Sequence, residues 1–188
     1  LSSNRVEETG MPVRAEFFQK EIENPAAASS RLRLLIFGGS QGAKAINDLV
    51  CKTLKEHRDL FEIFEITHQA GHRDYQRLKM EYDVALPSIQ LLEYIHDMPL
   101  ELKKADLVIC RSGASTVAEV IVCQKPAIFI PLPTAADDHQ LKNAKVLESK
   151  SAAYILEQRE ATTAKLYDLL LEFSQKPQLR ENIQKKLS

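Results

Sequence analysis

The chain has 188 residues, of which 44% are hydrophobic, enough for the core of one ordinary domain. Its 25 basic and 26 acidic residues leave a net charge of −1, which argues against a surface that binds nucleic acids. Three cysteines without a CxxC pair, and no apolar run of membrane-spanning length, predict a cytoplasmic protein with reduced cysteines and without a zinc site.

The first 30 residues form a linker segment in our interpretation. Residues 1–10 are polar, Pro12 biases the preceding Met11 away from helix, and residues 23–30 have the composition of a flexible loop. An alternation of strands and helices begins after this segment. We therefore predict a linker at residues 1–30 and one folded domain at residues 31–188.

A glycine-rich loop follows the first predicted strand, residues 32–37, and a helix then runs to about Leu54. The loop, GGSQGA at residues 38–43, would let backbone N–H groups approach a ligand closely. It lacks the Gly-Lys-Ser/Thr ending of a Walker loop and does not spell GxGxxG, which disfavours a dinucleotide site. A phosphate or diphosphate site remains open, and so does a purely structural role in packing the helix on the sheet.

The next two units repeat this alternation with weaker signals. Strands are predicted at residues 61–67 and 88–92, and a charged helix at residues 72–82 lies between them. Asp97 is placed to cap a short helix that ends at Lys104. His68 and His72 are four residues apart, but Gly71 interrupts them and no third ligand is near, so we expect no metal site.

Two apolar runs, residues 105–110 and 126–130, are typical of parallel strands that are buried on both faces. A parallel pair needs a crossover connection, and a helix from about Ser115 to Cys123 has the length for one. The turn RSGA at residues 111–114 would bring the first N–H groups of this helix and the positive end of its dipole to one spot. Such a spot favours a phosphate.

Three polar side chains follow this turn. Ser115 or Thr116 is expected to cap the helix, and Glu119 lies one helical turn further, where its carboxylate could accept hydrogen bonds from two sugar hydroxyls. The alternative is that Ser115 and Thr116 only cap the helix and that Glu119 only favours its first turns.

The last part of the chain completes the pattern. A loop at residues 132–139 leads into a helix from Gln140 to Ser149, a strand at 153–156, a helix at 163–174 and a last helix after Pro177. His139 and Gln140 could bind sugar hydroxyls or could be exposed residues of a first turn. The predicted fold is α/β, a doubly wound Rossmann-like parallel sheet of about six strands with helices on both faces and a crevice at the strand ends.

Several motifs together, in order and with fitting spacing, resemble the carboxy-terminal domain of the MurG family of bacterial glycosyltransferases. They are GGSQGA at 38–43, CRSGA at 110–114 with Thr116 and Glu119, and DHQ at 138–140 with Asn143 and Ala144. TGMPVR at 9–14 is similar to the segment that opens this domain, with Met11 where the family usually has Asn. The resemblance spans nearly the whole chain and implies one half of a GT-B enzyme, the half that binds the nucleotide-sugar donor.

The resemblance also implies roles for individual residues at a bound UDP-N-acetylglucosamine. At the diphosphate it places Ser40 and Gln41, with Arg14 as a candidate for the same charge. Uracil would be read by the backbone at Ile95, the nucleotide would be lined by Ala114, Ser115 and Thr116, and the ribose hydroxyls would be held by Glu119. The N-acetylglucosamine hydroxyls would face His139 and Gln140. Arg111 would serve the phosphate or brace the turn, and the resemblance leaves both roles open.

The activity implied for the parent enzyme is that of an inverting hexosyltransferase of family 28 type in peptidoglycan synthesis. It would move N-acetylglucosamine from UDP-N-acetylglucosamine, without a cofactor, to the 4-hydroxyl of lipid-linked N-acetylmuramyl-pentapeptide at the cytoplasmic face of the inner membrane. The acceptor site and the catalytic base belong to the family's amino-terminal domain, for which we find no counterpart here. Alone, the chain is therefore expected to bind the donor, to carry no catalytic residue and to transfer almost nothing.

Two alternatives belong to other classes of protein. One is a non-catalytic subunit that binds UDP-N-acetylglucosamine and needs a separate partner chain. The other is an epimerase-like GT-B enzyme that acts on the same nucleotide sugar, with acid and base groups from both domains.

Overall fold

The computed structural model describes residues 11–18, 30–85, 89–133 and 138–188. Its strands, all short, are β1 (Leu32–Phe37), β2 (Phe64–Gln69), β3 (Gln90–Leu92), β4 (Leu107–Cys110), β5 (Ala127–Phe129) and β6 (Tyr154–Ile155). They form one sheet in the order β3-β2-β1-β4-β5-β6, and every neighbouring pair is parallel. The predicted sheet of about six parallel strands is therefore confirmed.

Helices connect these strands and cover both faces of the sheet. They are α1 (Lys44–Glu56), α2 (Leu60–Ile63), α3 (His72–Ala85), α4 (Met98–Lys104), α5 (Ala114–Val122), α6 (His139–Ser149), α7 (Thr163–Gln175) and α8 (Pro177–Leu187), after a 3₁₀ turn at Ala15–Phe17. Contacts join α1 to both α3 and α7, and α5 to α6. None of the described helices has the length and apolar character needed to cross a lipid bilayer.

The core lies on both sides of the central strands. All residues of β4 and β5 are buried, which explains why their sequences are continuous apolar runs and not alternating ones. Ile36, Ile109 and Phe129, one from each of three adjacent strands, are fully buried. Burial of this kind is the main favourable term for folding, at about 25 cal/mol per Å² of apolar surface.

The strand order reverses direction between β1 and β4, and this places the candidate site. These two strands pair from Leu34 and Leu107 to Phe37 and Cys110. From β1 the chain continues through α1 towards β2, whereas from β4 it continues through α5 towards β5 on the other side. The loops after Phe37 and Cys110 therefore diverge and leave a crevice between them, the usual ligand position in such sheets.

The start of one predicted strand was wrong. Residues 61–67 were expected to form a strand, but the chain turns through α2 first, and β2 begins only at Phe64, whose N–H donates to the carbonyl of Leu60. The run LFEIF is apolar enough for either structure, and periodicity does not decide so short a segment. The expected cap at Asp97 is confirmed, because its Oδ1 accepts a hydrogen bond of 3.0 Å from the Leu100 N–H.

The linker is described only in part, since residues 1–10 and 19–29 lie outside the described ranges, as does Ser88 at the predicted start of the third strand. The described part is attached to the domain. Phe17 is buried with 2% of its surface exposed, and Lys103 Nζ donates to the carbonyl of Glu16. The boundary predicted at residue 30 stays a prediction.

Candidate active site

The glycine-rich loop after β1 forms one wall of the crevice. Gly39 and Gly42 have φ angles of 94° and 76°, in the region that favours glycine, and the Gly42 N–H closes the turn on the Gly39 carbonyl at 2.9 Å. A Cβ at Gly42 would lie 2.0 Å from the carbonyl oxygen of Ala70. The loop is thereby pressed against the end of β2, while Ser40 and Gln41 at its tip are exposed.

Helix α1 follows this loop with an open amino terminus. Its N-cap residue, Ala43, has no side chain that could accept a hydrogen bond, and the first turn contains no acidic residue. The first N–H groups of a helix need acceptors from outside the helix, and the helix dipole favours a negative charge among them. The loop and helix together suit a phosphate group.

Helix α5 presents a second open amino terminus at the facing loop. It begins at Ala114, one residue earlier than expected, and Gly113 is its N-cap without a side-chain hydrogen bond. The prediction that Ser115 or Thr116 caps this helix was therefore wrong, since both lie inside the first turn and not at the N-cap position. Ala114 and Ser115 are exposed, and Thr116 is half-buried.

Glu119 lies on the next turn of α5 and is half-buried. Burial raises the pKa of its carboxyl group, and the nearby positive charge of Arg14 lowers it to a smaller extent. The guanidinium of Arg14 lies 5.1 Å from the centre of the Phe17 ring, in cation–π contact. Among the described residues, the Glu119 carboxylate has no hydrogen bond or ion pair, so its acceptor positions are available to a ligand.

Arg111, directly after β4, is engaged with the protein itself. Its Nη1 donates to the carbonyls of Ile130 at 2.8 Å and Pro131 at 2.9 Å, and its Nη2 donates to Gln158 Oε1 at 2.7 Å. Burial lowers the pKa of this guanidinium, which has no carboxylate partner among the described residues. Of the two roles left open by the sequence, bracing the turn is the one that these contacts show. Binding of the phosphate by Arg111 stays a prediction.

A hydrogen-bonded link that the sequence did not reveal joins the α5 turn to the start of α6. Ser112 Oγ donates to the backbone carbonyl of Gln140 at 2.8 Å, and Asn143 Nδ2 donates to the carbonyl of Ser112 at 3.1 Å. Gln140 Oε1 accepts from the Leu132 N–H at 3.0 Å, which leaves its amide nitrogen for a ligand. The adjacent His139 is exposed.

The loop after β3 lies at the same, carboxyl end of the parallel sheet as the loops of the crevice. The side chain of Ile95 is buried with 5% of its surface exposed, whereas Tyr94 beside it is 51% exposed. An anchored side chain holds the backbone of this loop at the carboxyl end of the sheet. The expected contact between a ligand and the backbone near Ile95 stays a prediction. Glu93, in the same loop, pairs with His72.

A buried relay of side chains lies behind the glycine-rich loop. Asn47 Nδ2 donates to the Ala70 carbonyl at 2.9 Å and to Asp74 Oδ2 at 2.8 Å, so its Oδ1 must accept the hydrogen from His68 Nε2 at 3.0 Å. His68 Nδ1 then accepts from the Tyr82 hydroxyl at 2.7 Å. The relay keeps His68 neutral, and burial lowers its pKa from 6.5 to about 3.

His68 is one of the two histidines that were considered above as possible metal ligands, and both of its ring nitrogens are engaged in this relay. Across the described parts of the chain, no group of three or more histidine, cysteine or acidic side chains is arranged to hold a metal ion.

A cavity of about 380 Å³ lies elsewhere on the sheet, beside Arg33, Glu65 and Lys104. Its charged side chains form ion pairs with one another, Arg33 with Glu65 at 3.7 Å and Lys104 with Glu101 at 2.9 Å, and Arg33 Nη1 is buried without a hydrogen bond among the described residues. The open helix termini and the unpartnered Glu119 carboxylate lie at the strand ends instead, so the crevice is the better candidate.

Comparison with known proteins identifies the family of the chain. Residues 33–188 match the family model described as glycosyltransferase family 28 C-terminal domain. The chain is 39% identical over 183 residues to the UDP-N-acetylglucosamine–N-acetylmuramyl-(pentapeptide) pyrophosphoryl-undecaprenol N-acetylglucosamine transferase of Anaeromyxobacter sp. (strain K), covering 97% of this chain and 48% of the relative. The protein of the same name from Psychromonas ingrahamii is 42% identical over 170 residues, covering 90% of this chain and 47% of the relative.

A solved structure is also similar. The crystal structure of Acinetobacter baumannii MurG superposes with a TM-score of 0.76 at 38% identity, over 86% of this chain and 48% of that one. The chain thus spans about half the length of the curated relatives that it matches.

Proposed function

Because the chain belongs to the family of glycosyltransferase family 28 C-terminal domains, we propose that it is the donor-binding half of an inverting transferase. The parent enzyme would move N-acetylglucosamine from UDP-N-acetylglucosamine to the 4-hydroxyl of lipid-linked N-acetylmuramyl-pentapeptide. Since this acceptor is held in a membrane, the whole enzyme would act at the cytoplasmic face of the inner membrane. The relatives at 39% and 42% identity are named for this transfer, which favours a transferase over an epimerase.

One observation carries the proposal: the two strands at which the strand order reverses are each followed by a helix with an uncapped amino terminus, α1 and α5. Helix α5 also carries Glu119, whose carboxylate has no hydrogen bond or ion pair among the described residues. The terminus of α1, with Ser40 and Gln41, would take the diphosphate. The Glu119 carboxylate would accept hydrogen bonds from the two ribose hydroxyls, and the backbone at Ile95 would contact uracil. A nucleoside diphosphate needs this combination of anion-binding N–H groups and hydroxyl acceptors.

The chemistry divides between the two halves of the enzyme. A base in the other half would deprotonate the acceptor hydroxyl, which attacks the anomeric carbon of the sugar while the bond to the diphosphate oxygen breaks. The negative charge that grows on the departing UDP would meet the open amino termini of α1 and α5 and the cation of Arg14. Groups already oriented towards a developing charge lower the barrier without having to reorganise.

The testing experiment is calorimetric titration of this chain with UDP-N-acetylglucosamine, beside an adenine dinucleotide. We expect saturable binding of the uridine compound only. Glu119→Ala should weaken that binding about tenfold to a hundredfold, since hydrogen bonds to a charged group contribute about 1.5–3 kcal/mol. Glu148→Ala, which removes an exposed carboxylate from α6, is the matched control and should bind like the unaltered chain.

Two results would contradict the proposal. One is equal binding of the dinucleotide, which would mean that the crevice does not select a uridine nucleotide. The other is absence of donor binding both in this chain and in the two-domain parent. A parent gene that continues upstream into a second domain with its own glycine-rich loop would exclude the alternative of a two-chain enzyme.

A further inference from the structure

Gln69, the last residue of β2, lies between two loops that the donor would contact at opposite ends. Its Nε2 is within 3.5 Å of the Ser40 carbonyl, in the glycine-rich loop, and within 3.4 Å of the Glu93 carbonyl, in the loop after β3. Gln69 itself is 1% exposed. One buried amide group therefore bridges the loop assigned to the diphosphate and the loop assigned to uracil.

The oxygen of the same amide group has an unusual environment. Gln69 Oε1 is buried and has no hydrogen-bond donor among the described residues. A buried polar atom without a partner destabilises a fold, and such atoms are rare in native proteins. A leucine of similar size at this position would avoid the unpaired oxygen. The contacts of Gln69 therefore give little reason for a glutamine on grounds of stability and point to the two bridging contacts of its nitrogen.

The backbone around Gln69 makes the same connection. The Ala70 N–H donates to the Leu92 carbonyl at 2.8 Å and the Gly71 N–H to the Glu93 carbonyl at 3.2 Å, on the side of the β3 loop. On the other side, the Ala70 carbonyl accepts from Asn47 and stands against Gly42. The end of β2 is thus packed against both loops, and Gln69 is its side-chain bridge.

We propose that Gln69 is a positioning residue that sets the separation between the diphosphate loop and the uracil loop of the donor site. This inference rests on the proposed function. A ligand that contacts both loops gains its full affinity only if they stand at the right distance, whereas a ligand that contacts one loop does not depend on that distance. Loss of the bridge should therefore weaken UDP far more than uridine.

The test compares the affinities of UDP and uridine in Gln69→Leu, Gln90→Leu and the unaltered chain. Gln90 lies on the neighbouring strand β3, is exposed and accepts a hydrogen bond from Thr67 Oγ1, so Gln90→Leu makes the same chemical change away from the two loops. In Gln69→Leu we expect the dissociation constant of UDP to rise at least tenfold and that of uridine to change less than twofold. Gln90→Leu should leave both unchanged.

Gln69→Met provides a second variant that keeps an unbranched side chain of similar length and has no N–H to donate. This variant should show the same selective loss of affinity for UDP. It takes the place of Gln69→Leu in the test if thermal unfolding shows that Gln69→Leu does not fold. Equal weakening of UDP and uridine, or unchanged UDP affinity in a folded variant, would overturn the inference. If the unaltered chain and its two-domain parent both fail to bind UDP, the proposed function fails instead.

Discussion

Glu119 is a half-buried carboxylate that has no hydrogen bond or ion pair among the described residues, although the positive charge of Arg14 is near. Burial raises its pKa, so folding favours the protonated form. The stability contributed by this group is therefore present at low pH and is lost as the pH rises through the raised pKa. We expect Glu119→Gln to increase the thermal midpoint at neutral pH, measured by scanning calorimetry. A lower midpoint would show that the carboxylate has a stabilising partner.

The proposed donor binding by Glu119 should have the opposite pH dependence. If the carboxylate of Glu119 accepts hydrogen bonds from the ribose hydroxyls, as we propose, donor affinity should fall as the pH is lowered through the raised pKa of this group, at a higher pH than for an ordinary glutamate. Glu119→Gln should bind about tenfold more weakly at neutral pH, because a neutral amide oxygen is the weaker acceptor, and should lack this pH dependence.

Titration of UDP-N-acetylglucosamine at a series of pH values measures this difference. Glu148→Gln is the matched control and should keep the pH dependence of the unaltered chain. The same pH dependence in Glu119→Gln would assign the titrating group elsewhere.

The relay of Asn47, His68 and Tyr82 joins α1, β2 and α3. His68 has its pKa lowered from 6.5 to about 3 by burial, so the unfolded chain takes up this proton more readily than the folded one. Its contribution to stability is present above pH 6.5 and is lost as the pH falls towards 3. Urea unfolding should therefore show a stability decrease over this range, and His68→Gln should reduce that slope, whereas the exposed His96→Gln should not.

Among the described residues, the Tyr82 hydroxyl is the one hydrogen-bond donor to His68 Nδ1. Tyr82→Phe keeps the ring and leaves this buried nitrogen without a donor, which should lower the free energy of unfolding by about 1–3 kcal/mol. Tyr75→Phe, on the same helix and less buried, is the matched control. Equal stability of Tyr82→Phe and the unaltered chain, measured by urea unfolding, would contradict a stabilising hydrogen bond between Tyr82 and His68.

Substitution of two glycines in the same loop distinguishes the effect of backbone strain from the effect of close packing. A Cβ at Gly39 would have no atom within 4 Å. Gly39→Ala should therefore lower the free energy of unfolding only by the cost of the left-handed backbone conformation, about 1–2 kcal/mol. Gly42→Ala has the same strain and also places its Cβ 2.0 Å from the Ala70 carbonyl oxygen. We expect Gly42→Ala to be the more destabilising variant by urea unfolding and the more harmful to donor affinity. Equal effects would mean that the contact with Ala70 is not maintained in solution.

Some elements and residues could be predicted from the sequence and others could not, for physical reasons. Strand β1 was predicted with its observed bounds, because a short apolar run between polar segments is typical of a buried strand. Helix α2 was missed because LFEIF fits a strand as well as a helical turn. Glu119 could be placed on α5 by helical periodicity alone. Gln69 could not be found, because its partners Ser40 and Glu93 are 29 and 24 residues away and meet it only in the folded sheet.

At the scale of the whole molecule, the proposed role as one half of a two-domain enzyme means that this chain should bind the donor without transferring its sugar. The described crevice offers anion-binding helix termini and a carboxylate for ribose, but the proposed reaction also needs a base at the acceptor hydroxyl. Our assignment of that base to the other half predicts that this chain binds UDP-N-acetylglucosamine and transfers almost no sugar. Because domain closure often completes such a site, the two-domain parent should also bind the donor more tightly.

The measurement is sugar release and transfer from labelled donor in the presence of a lipid-linked N-acetylmuramyl-pentapeptide acceptor. The parent should convert the acceptor, and this chain at the same concentration should not, even with the donor bound to saturation. Glu119→Ala in the parent should raise the donor KM in parallel with its loss of affinity in this chain, since the same pocket is used in both. Transfer by the isolated chain would place the catalytic base among its own residues and overturn the division of roles between the two halves.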